Sequence, residues 1–370
     1  MKVGILGGGQ LAQMLAQAGN ALGVETTFVD PGKNAPAARY ATQIRAAYDD
    51  LDALAQLAAS VDVVTYEFEN VPEIAATMLA KHVHLRPLPI ALSTSQDRLT
   101  EKTMFASLGI PTAPFQPVAS AADLEAAVRA VGLPAVLKTR RMGYDGKGQL
   151  VLRGAADVPG AFEKLGSVPC ILEGFVRFER ELSLVCVRGR DGETRFYPLT
   201  QTIHEGGILR MTVSPAPRLD DELTKKAQEY GERVLRHLYY VGVLALELFE
   251  ESGNLRANEI APRVHNSGHW TIEGAHTSQF ENHMRAIAEM PLGDTGAKAT
   301  TVSINLLGDS PALEEMNAVV GAHAHLYGKT AAPLRKVGHV TILDDGSGAF
   351  DERVERLRDL VARATAAVSA

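Results

Sequence analysis

The sequence predicts an α/β unit followed by an α+β unit, and three observations carry that expectation. The first ninety or so residues alternate short apolar strands with helical stretches, a pattern that calls for a parallel sheet with helices on its faces. Residues 169–261 instead hold apolar runs of period two, separated by turn residues such as GRDGE and ESGN, which suits an antiparallel sheet. The chain of 370 residues, 46% hydrophobic and 22% charged, is long enough for two or three domains with their own cores.

In chain order, KVGIL (2–6) and ETTFVD (25–30) read as buried strands around a helix, QLAQMLAQAGNALG (10–23), that Gly23 ends. LDALAQLAAS (51–60) is a second helix and DVVTYEFE (62–69) a third strand. Two prolines in RPLPIAL (86–92) mark a boundary. The helix beginning at QDRLTEK stops at Gly109, with Pro111 behind it. LPAVLK (133–138) then leads into a glycine-rich loop. PCILEGFV, RELSLVCVRG, TRFYPLT, VGVLALELFE and LRANEIAP follow as strands. The remainder is mixed and closes on the helix ERVERLRDLVARATAAVSA.

A net charge of −7 argues against a general nucleic-acid binder, whose footprint would be basic. Cys170 and Cys186 lie in apolar runs without CxxC spacing and read as buried, reduced thiols. The N-terminal apolar run VGIL is too short for a signal peptide. VGVLALELF is too short for a membrane span and carries Glu247. A cytoplasmic protein is expected.

Two stretches are rich in glycine. GILGGGQLAQML follows a strand and opens a helix, and GxGxxG laid on Gly7 meets alanine at Ala12, a loose dinucleotide fingerprint. Asp30 stands about where a ribose-binding acid would. A small phosphorylated ligand at this helix N-terminus fits better than a dinucleotide, and a purely structural turn stays open. The second stretch, RRMGYDGKGQ, lacks the GxxxxGK[ST] of a Walker loop. Gly143, Gly146 and Gly148 would still let N–H groups approach phosphate, with Lys138 and Lys147 supplying charge. The bland alternative is a solvated hairpin tip.

Glu247 lies in an apolar strand between Leu246 and Leu248, and Asn258–Glu259 lies in the returning strand. A buried carboxylate calls for a partner or a metal. With a three-residue loop, Ser252 to Asn254, residues 247 and 259 would face each other and suit Mg²⁺ held with nucleotide phosphates. A two-residue loop would put them on opposite faces. Beyond the hairpin, Arg263, His265, Asn266, Ser267 and His269 gather in one irregular segment, the composition of an active site. Lys329, Arg335 and Lys336 form a later cationic group suited to an anionic substrate.

Taken in order, GILGGGQL, QDRLTEK, KTRRMGYDGKGQ, ILEGFVRFERELS, HEGGIL, NEIAPRVHNSGHWTIEGAHTSQFENHMRAI and YGK…RKVGH resemble the ATP-grasp superfamily. Within it the set is similar to the N5-carboxyaminoimidazole ribonucleotide synthetases of purine biosynthesis. The resemblance implies a Rossmann-like N-terminal domain (1–95), a linker and mobile lid (96–172), a central antiparallel domain that sandwiches ATP against the lid (173–305), and a C-terminal subdomain (306–370). It implies that the lid loop from Gly143 through Tyr144, Asp145, Gly146, Lys147 and Gly148 to Gln149 covers the ATP phosphates. Arg98 and Lys138 would contact the nucleotide. Glu173, Gly174, Phe175 and Val176 would form the hinge at adenine, Glu181 would take the ribose hydroxyls, and His204 and Asn258 would line the same site. Glu247 and Glu259 would be the Mg²⁺ ligands.

By the same resemblance Tyr144, Asp145, Arg263, His265, Lys329 and Arg335 surround bicarbonate and aminoimidazole ribonucleotide. Gly8, Gly9, Gln10 and Leu11 would face the ribonucleotide, with Lys336 nearby. Met142, Ala12 and Leu334 depart from the family pattern. The implied activity is an ATP-dependent carboxylation of the ribonucleotide's amine by bicarbonate through carboxyphosphate, with Arg263 stabilising that intermediate and His265 aiding CO₂ release or taking the amine proton. A homodimer is implied as well. The rivals are another ATP-grasp ligase, such as a formate-using transformylase, and a dinucleotide-dependent oxidoreductase.

Overall fold

The computed structural model describes residues 1–143 and 146–369. Its first unit is the predicted α/β domain. Strands β1 (Lys2–Leu6), β2 (Glu25–Val29), β3 (Thr42–Ile44), β4 (Val63–Tyr66) and β5 (His84–Leu85) form a wholly parallel sheet in the order β3-β2-β1-β4-β5. Helices α1 (Gln10–Ala21), α2 (Leu51–Ser60) and α3 (Glu73–His82) make the crossovers. Helix α1 ends two residues before Gly23, whose φ of 72° turns the chain into β2. The strand order reverses between β1 and β4, and their carboxyl ends open the crevice where such sheets bind ligands.

Two helices, α4 (Pro89–Ser95) and α5 (Arg98–Ser107), lead to the lid. There β6 (Phe115–Val118), α6 (Ala121–Val131), β7 (Ala135–Thr139), β8 (Gln149–Leu152), α7 (Ala161–Lys164) and β9 (Cys170–Gly174) build a four-stranded antiparallel sheet, ordered β6-β9-β7-β8. Leu124, Leu137, Phe162 and Leu172 close its own small core. Because β9 pairs with β6 and β7, the expected boundary after residue 172 falls inside a strand, and the chain leaves the lid after Gly174.

The central sheet contains β10 (Arg180–Arg188), β11 (Thr194–Phe196), β12 (Thr200–Glu205), β13 (Ile208–Ser214), β14 (Gly242–Glu251) and β15 (Asn254–Ala261). It continues into β16 (Thr301–Leu307), β17 (Ala322–Leu326) and β18 (Lys336–Leu343), in the order β15-β14-β10-β12-β13-β16-β18-β17, with β11 on β10. The C-terminal strands therefore extend the central sheet, and the boundary expected after residue 305 cuts β16. Helix α8 (Asp221–His237), absent from the strand-rich reading, buries Leu223, Ala227, Tyr230 and Val234 at helical spacing. Helices α9 (Thr271–Gly274), α10 (Gln279–Ile287), α11 (Leu313–Asn317) and α12 (Phe350–Ser369) complete the chain.

One apolar core joins the first domain to the central sheet: Leu15 and Phe28 pack in the same cluster as Val243, Trp270, Phe280 and Met284. Each such fully buried aliphatic or Phe side chain stabilises by roughly 1.5–3 kcal/mol. A polar rivet crosses the same seam. Val243 N–H donates to His283 Nδ1 (3.1 Å), which fixes the ring proton on Nε2, and Nε2–H meets Thr65 Oγ1 at 2.9 Å. The two cysteines are buried and free, as expected.

Candidate active site

A cleft of about 790 Å³ lies between the switch point of the parallel sheet, the lid and the central sheet. Gly9, Gln10, Leu11, Arg98, Lys138, Gly143, Gly146, Gln149 and Glu173 to Val176 line it. So do Glu181, His204, Glu247, Asn258, Glu259, Arg263, His265, Lys329 and Lys336. Gly8, Lys147, Gly148 and Arg335 are not on its wall. Gly8 packs its Cα against Phe28, where a Cβ would sit 2.4 Å from the ring. Gly148, at φ 70°, leaves no room for a Cβ beside Thr139 Oγ1. Arg335 is exposed and donates to the Thr330 carbonyl at 3.0 Å. Tyr144 and Asp145 lie outside the described residues.

At the switch point the helix terminus differs from expectation. Glu67, just past β4, accepts from Gly9 N–H (2.5 Å) and Ala12 N–H (3.0 Å), so the chain's own carboxylate takes donors that a phosphorylated ligand was expected to use. Burial raises the Glu67 pKa against those two bonds and the nearby Lys329. Asp30, the expected ribose acid, accepts from Gly8 N–H, Gly32 N–H and Tyr48 O–H. Lys329 reaches across from the C-terminal segment and donates to Gln10 Oε1 at 2.5 Å.

On the nucleotide side, β7 brings Lys138 and β9 brings Glu173. Lys138 Nζ and Lys102 Nζ share Glu173 Oε2, at 3.1 and 3.3 Å. Burial acts to raise the Glu173 pKa, but Lys102, Lys138 and Arg98 together pull it down to about 2. Burial lowers the Lys138 pKa, with Glu173 opposing. Glu181 Oε2 bonds His204 Nδ1 at 2.7 Å, and this contact raises the His204 pKa against burial. Phe178 and Phe249 stack at 4.8 Å as an aromatic wall that the sequence reading overlooked. Arg140, at the base of the lid loop, forks onto Asp97, the N-cap of α5, at 3.0 and 2.7 Å.

The paired glutamates arrive by a route neither loop alternative foresaw. The β14–β15 turn has two residues, Ser252 and Gly253, both at positive φ (50° and 70°). That turn alone would have sent the acids to opposite faces. A bulge at Asn258 shifts the register, and Glu247 pairs with Glu259 after all. Burial and the neighbouring Glu259 push Glu247 up to about 8, while Arg98, 2.9 Å from Glu259 Oε2, and Lys138 hold Glu259 down despite its own burial. Asn258 Oδ1 is buried without a hydrogen-bond partner. Two carboxylates and an orphaned amide oxygen are hard donors suited to Mg²⁺ shared with phosphates. Among the described residues no group of three His, Cys, Asp or Glu forms a metal cage.

Beside this pair, Arg263 donates from Nε and Nη2 to Glu69 Oε2, at 2.9 and 2.7 Å. His265 Nε2 stands 3.5 Å from Glu247 Oε1. His265 Nδ1 lies 2.8 Å from Ser267 Oγ and 3.3 Å from Ser267 N, which leaves Nε2 facing the glutamate. Burial, with Arg263 and Lys336 nearby, keeps the His265 pKa well below its usual value. The ring is therefore neutral, the form that can accept a proton. Glu67, Glu69, Glu101 and Lys102 escaped the sequence reading, which took DVVTYEFE as a strand and QDRLTEK as the start of a helix without giving these charged residues a role.

Residues 1–96 match the ribonucleotide synthetase preATP-grasp domain and residues 103–280 the ATP-grasp domain. Residues 301–353 match the phosphoribosylaminoimidazole carboxylase C-terminal domain. An N5-carboxyaminoimidazole ribonucleotide synthase of Pseudomonas aeruginosa is 53% identical over 361 residues, 98% of this chain and 99% of that one. The crystal structure of the synthetase from Thermus thermophilus superposes with a TM-score of 0.94 at 50% identity, covering 97% of this chain and 98% of that one. The Aspergillus clavatus synthase in complex with ADP and 5-aminoimidazole ribonucleotide gives a TM-score of 0.91 at 31% identity, covering 98% of each chain. With the switch-point crevice, the lid and the paired glutamates in one cleft, the chain belongs to the N5-carboxyaminoimidazole ribonucleotide synthase family of ATP-grasp ligases.

Proposed function

We infer that this chain carboxylates 5-aminoimidazole ribonucleotide with bicarbonate and ATP in purine biosynthesis. The observation that carries the inference is the cross-strand pair Glu247–Glu259, set between the lid lysine Lys138 and the Arg263–His265 corner. A bicarbonate oxygen attacks the γ-phosphorus and ADP leaves, giving carboxyphosphate. The ribonucleotide amine then attacks the carboxyl carbon, phosphate leaves, and one proton is released. Mg²⁺ on Glu247 and Glu259 would neutralise the β and γ oxygens, the charge stabilisation that phosphoryl transfer chiefly needs.

Every other role falls to side chains and backbone of the chain itself. Lys138 and the lid N–H groups hold the phosphates. Phe178 and Phe249 offer an apolar wall to the base, and Glu181, steadied by His204, accepts from the ribose. Arg263, oriented by Glu69, supplies positive charge to carboxyphosphate, and the neutral His265 stands beside it. Lid closure would shield carboxyphosphate from water. Gly146 already lies against the Gly206–Gly207 turn of the opposing hairpin, where a Cβ on it would meet the Gly206 carbonyl at 3.1 Å. Glu67, Gln10 and Lys329 face the ribonucleotide, with Lys336 on the same wall. A cytoplasmic homodimer is proposed from the resemblance, and no helix among the described residues is long and apolar enough to cross a membrane.

The test is phosphate release from MgATP with bicarbonate and aminoimidazole ribonucleotide added singly and together. Release that needs both supports the assignment. Release triggered by formate in place of bicarbonate keeps the ATP site and removes the substrate claim. Light scattering on the purified protein checks the dimer.

A further inference from the structure

We propose that Glu101 and Lys102 are positioning residues for the divalent-cation site: from α5 they clamp the bulge at Asn258 that keeps Glu259 on the same face as Glu247. This inference rests on the cation-site reading above. A two-residue turn pairs Glu251 with Asn254, and an unbroken ladder would continue until Glu247 met Asn258. Glu259 would then point to the other face of the sheet. The bulge prevents this, but a bulge also leaves backbone groups of the bulged strand without ladder partners.

Helix α5 satisfies those groups. Lys102 Nζ donates to the Asn258 carbonyl at 2.6 Å and approaches the Ala257 carbonyl at 3.5 Å. One residue earlier on the helix, Glu101 Oε1 accepts the Ile260 N–H at 2.7 Å. Both side chains are buried, at 2% and 1% exposure, and so have no other solvent to turn to. Arg98, Glu101 and Lys102 stand at i, i+3 and i+4, one face of a helix. They meet β15 at Glu259, Ile260 and Asn258 in turn. The segment after α5 completes the seam, since Ala257 N–H donates to the Pro111 carbonyl at 2.7 Å. Lys102 also shares Glu173 Oε2 with Lys138, so Glu101, whose carboxylate bonds the Ile260 N–H, is the cleaner probe of the clamp. The Glu101–Lys102 pair grips the strand on both sides of Glu259 and sets where its carboxylate points.

The experiment measures Mn²⁺ binding by electron paramagnetic resonance, in the presence of ATP, for the intact protein and for Glu101→Met, Lys102→Met and Glu101→Gln. Glu101→Met and Lys102→Met are expected to weaken Mn²⁺ binding by ~10-fold or more, as loss of outer partners does at metal sites. Glu101→Gln keeps an acceptor for Ile260 N–H and should rescue binding to within about twofold, which a merely space-filling role for residue 101 would not require. Folded Met variants that bind Mn²⁺ as tightly as the intact protein would overturn the clamp. No binding by the intact protein would instead overturn the cation-site reading itself. Should the Met variants fail to fold, amide hydrogen exchange on the intact protein decides. An Ile260 amide as protected as the interior of β14 supports the clamp, and one that exchanges like the Ser252–Gly253 turn refutes it.

Discussion

Glu259 is the residue on which most of the cleft's charge converges: it bonds Arg98, pairs with Glu247 and feels Lys138. Glu259→Gln is therefore expected to lower phosphate release by about 10²–10³, the loss typical of removing one preorganised electrostatic partner. Glu69 acts at one remove. Its carboxylate holds Arg263 on the wall of the cleft, so Glu69→Gln should lower kcat about tenfold through misplacement of the guanidinium while the KM for ATP stays put. Steady-state kinetics with ATP varied checks this, and an ATP KM that moves as much as kcat would contradict it. Glu247 was legible in the sequence because an ionisable residue inside an apolar run is conspicuous, and Lys138 because it leads into a glycine-rich loop. Glu101 and Lys102 were not, since their burial arises only when α5 docks on β15.

The elements show the same division. Strands β1, β2 and β4 and helix α12 could be read from apolar periodicity alone, and so could α8, which the expectation of an uninterrupted strand region overlooks. The bulge at Asn258 could not, because it depends on partners far away in sequence. Two predictions belong at this scale. Ser252 holds φ 50° ahead of Gly253, a primed turn that favours Asn at its first position. Ser252→Asn should raise stability by about 0.5 kcal/mol, measured by urea unfolding. Asp97 caps α5 through Leu99 N–H and Thr100 N–H while anchoring Arg140. Asp97→Ala should cost at least about 1–2 kcal/mol from the cap alone, and should also loosen the lid, seen as higher susceptibility to proteolysis near residue 141.

For the whole molecule, buried neutral histidines set the acid limit. Burial depresses His283, and burial with His325 and Lys336 depresses His269, each to about 3, well under the ordinary histidine value. A group with a depressed folded pKa contributes stability that is present above its unfolded pKa and lost as pH falls. The share of stability held by these two rings should thus be flat above pH ~6.5 and fall below it, by up to about 1.4 kcal/mol per pH unit for each, while buried acids raised in the fold, such as Glu247, act in the opposite sense. Thermal unfolding of the intact protein and of His283→Gln between pH 5 and 8 isolates this share, and a variant midpoint that falls as steeply on acidification as that of the intact protein would contradict it. The domain order was legible from the shift between alternating and period-two patterns, but the seams were not, because β9 and β16 each serve a sheet that extends past the expected boundary. The shared core around Leu15, Phe28, Trp270 and Met284 has a consequence for anyone cutting or splicing this chain. Residues 1–95 expressed alone would present that apolar face to water and aggregate, whereas the lid, closed around its own Leu124, Leu137 and Phe162, is the piece that can be grafted, swapped or tagged as a cassette.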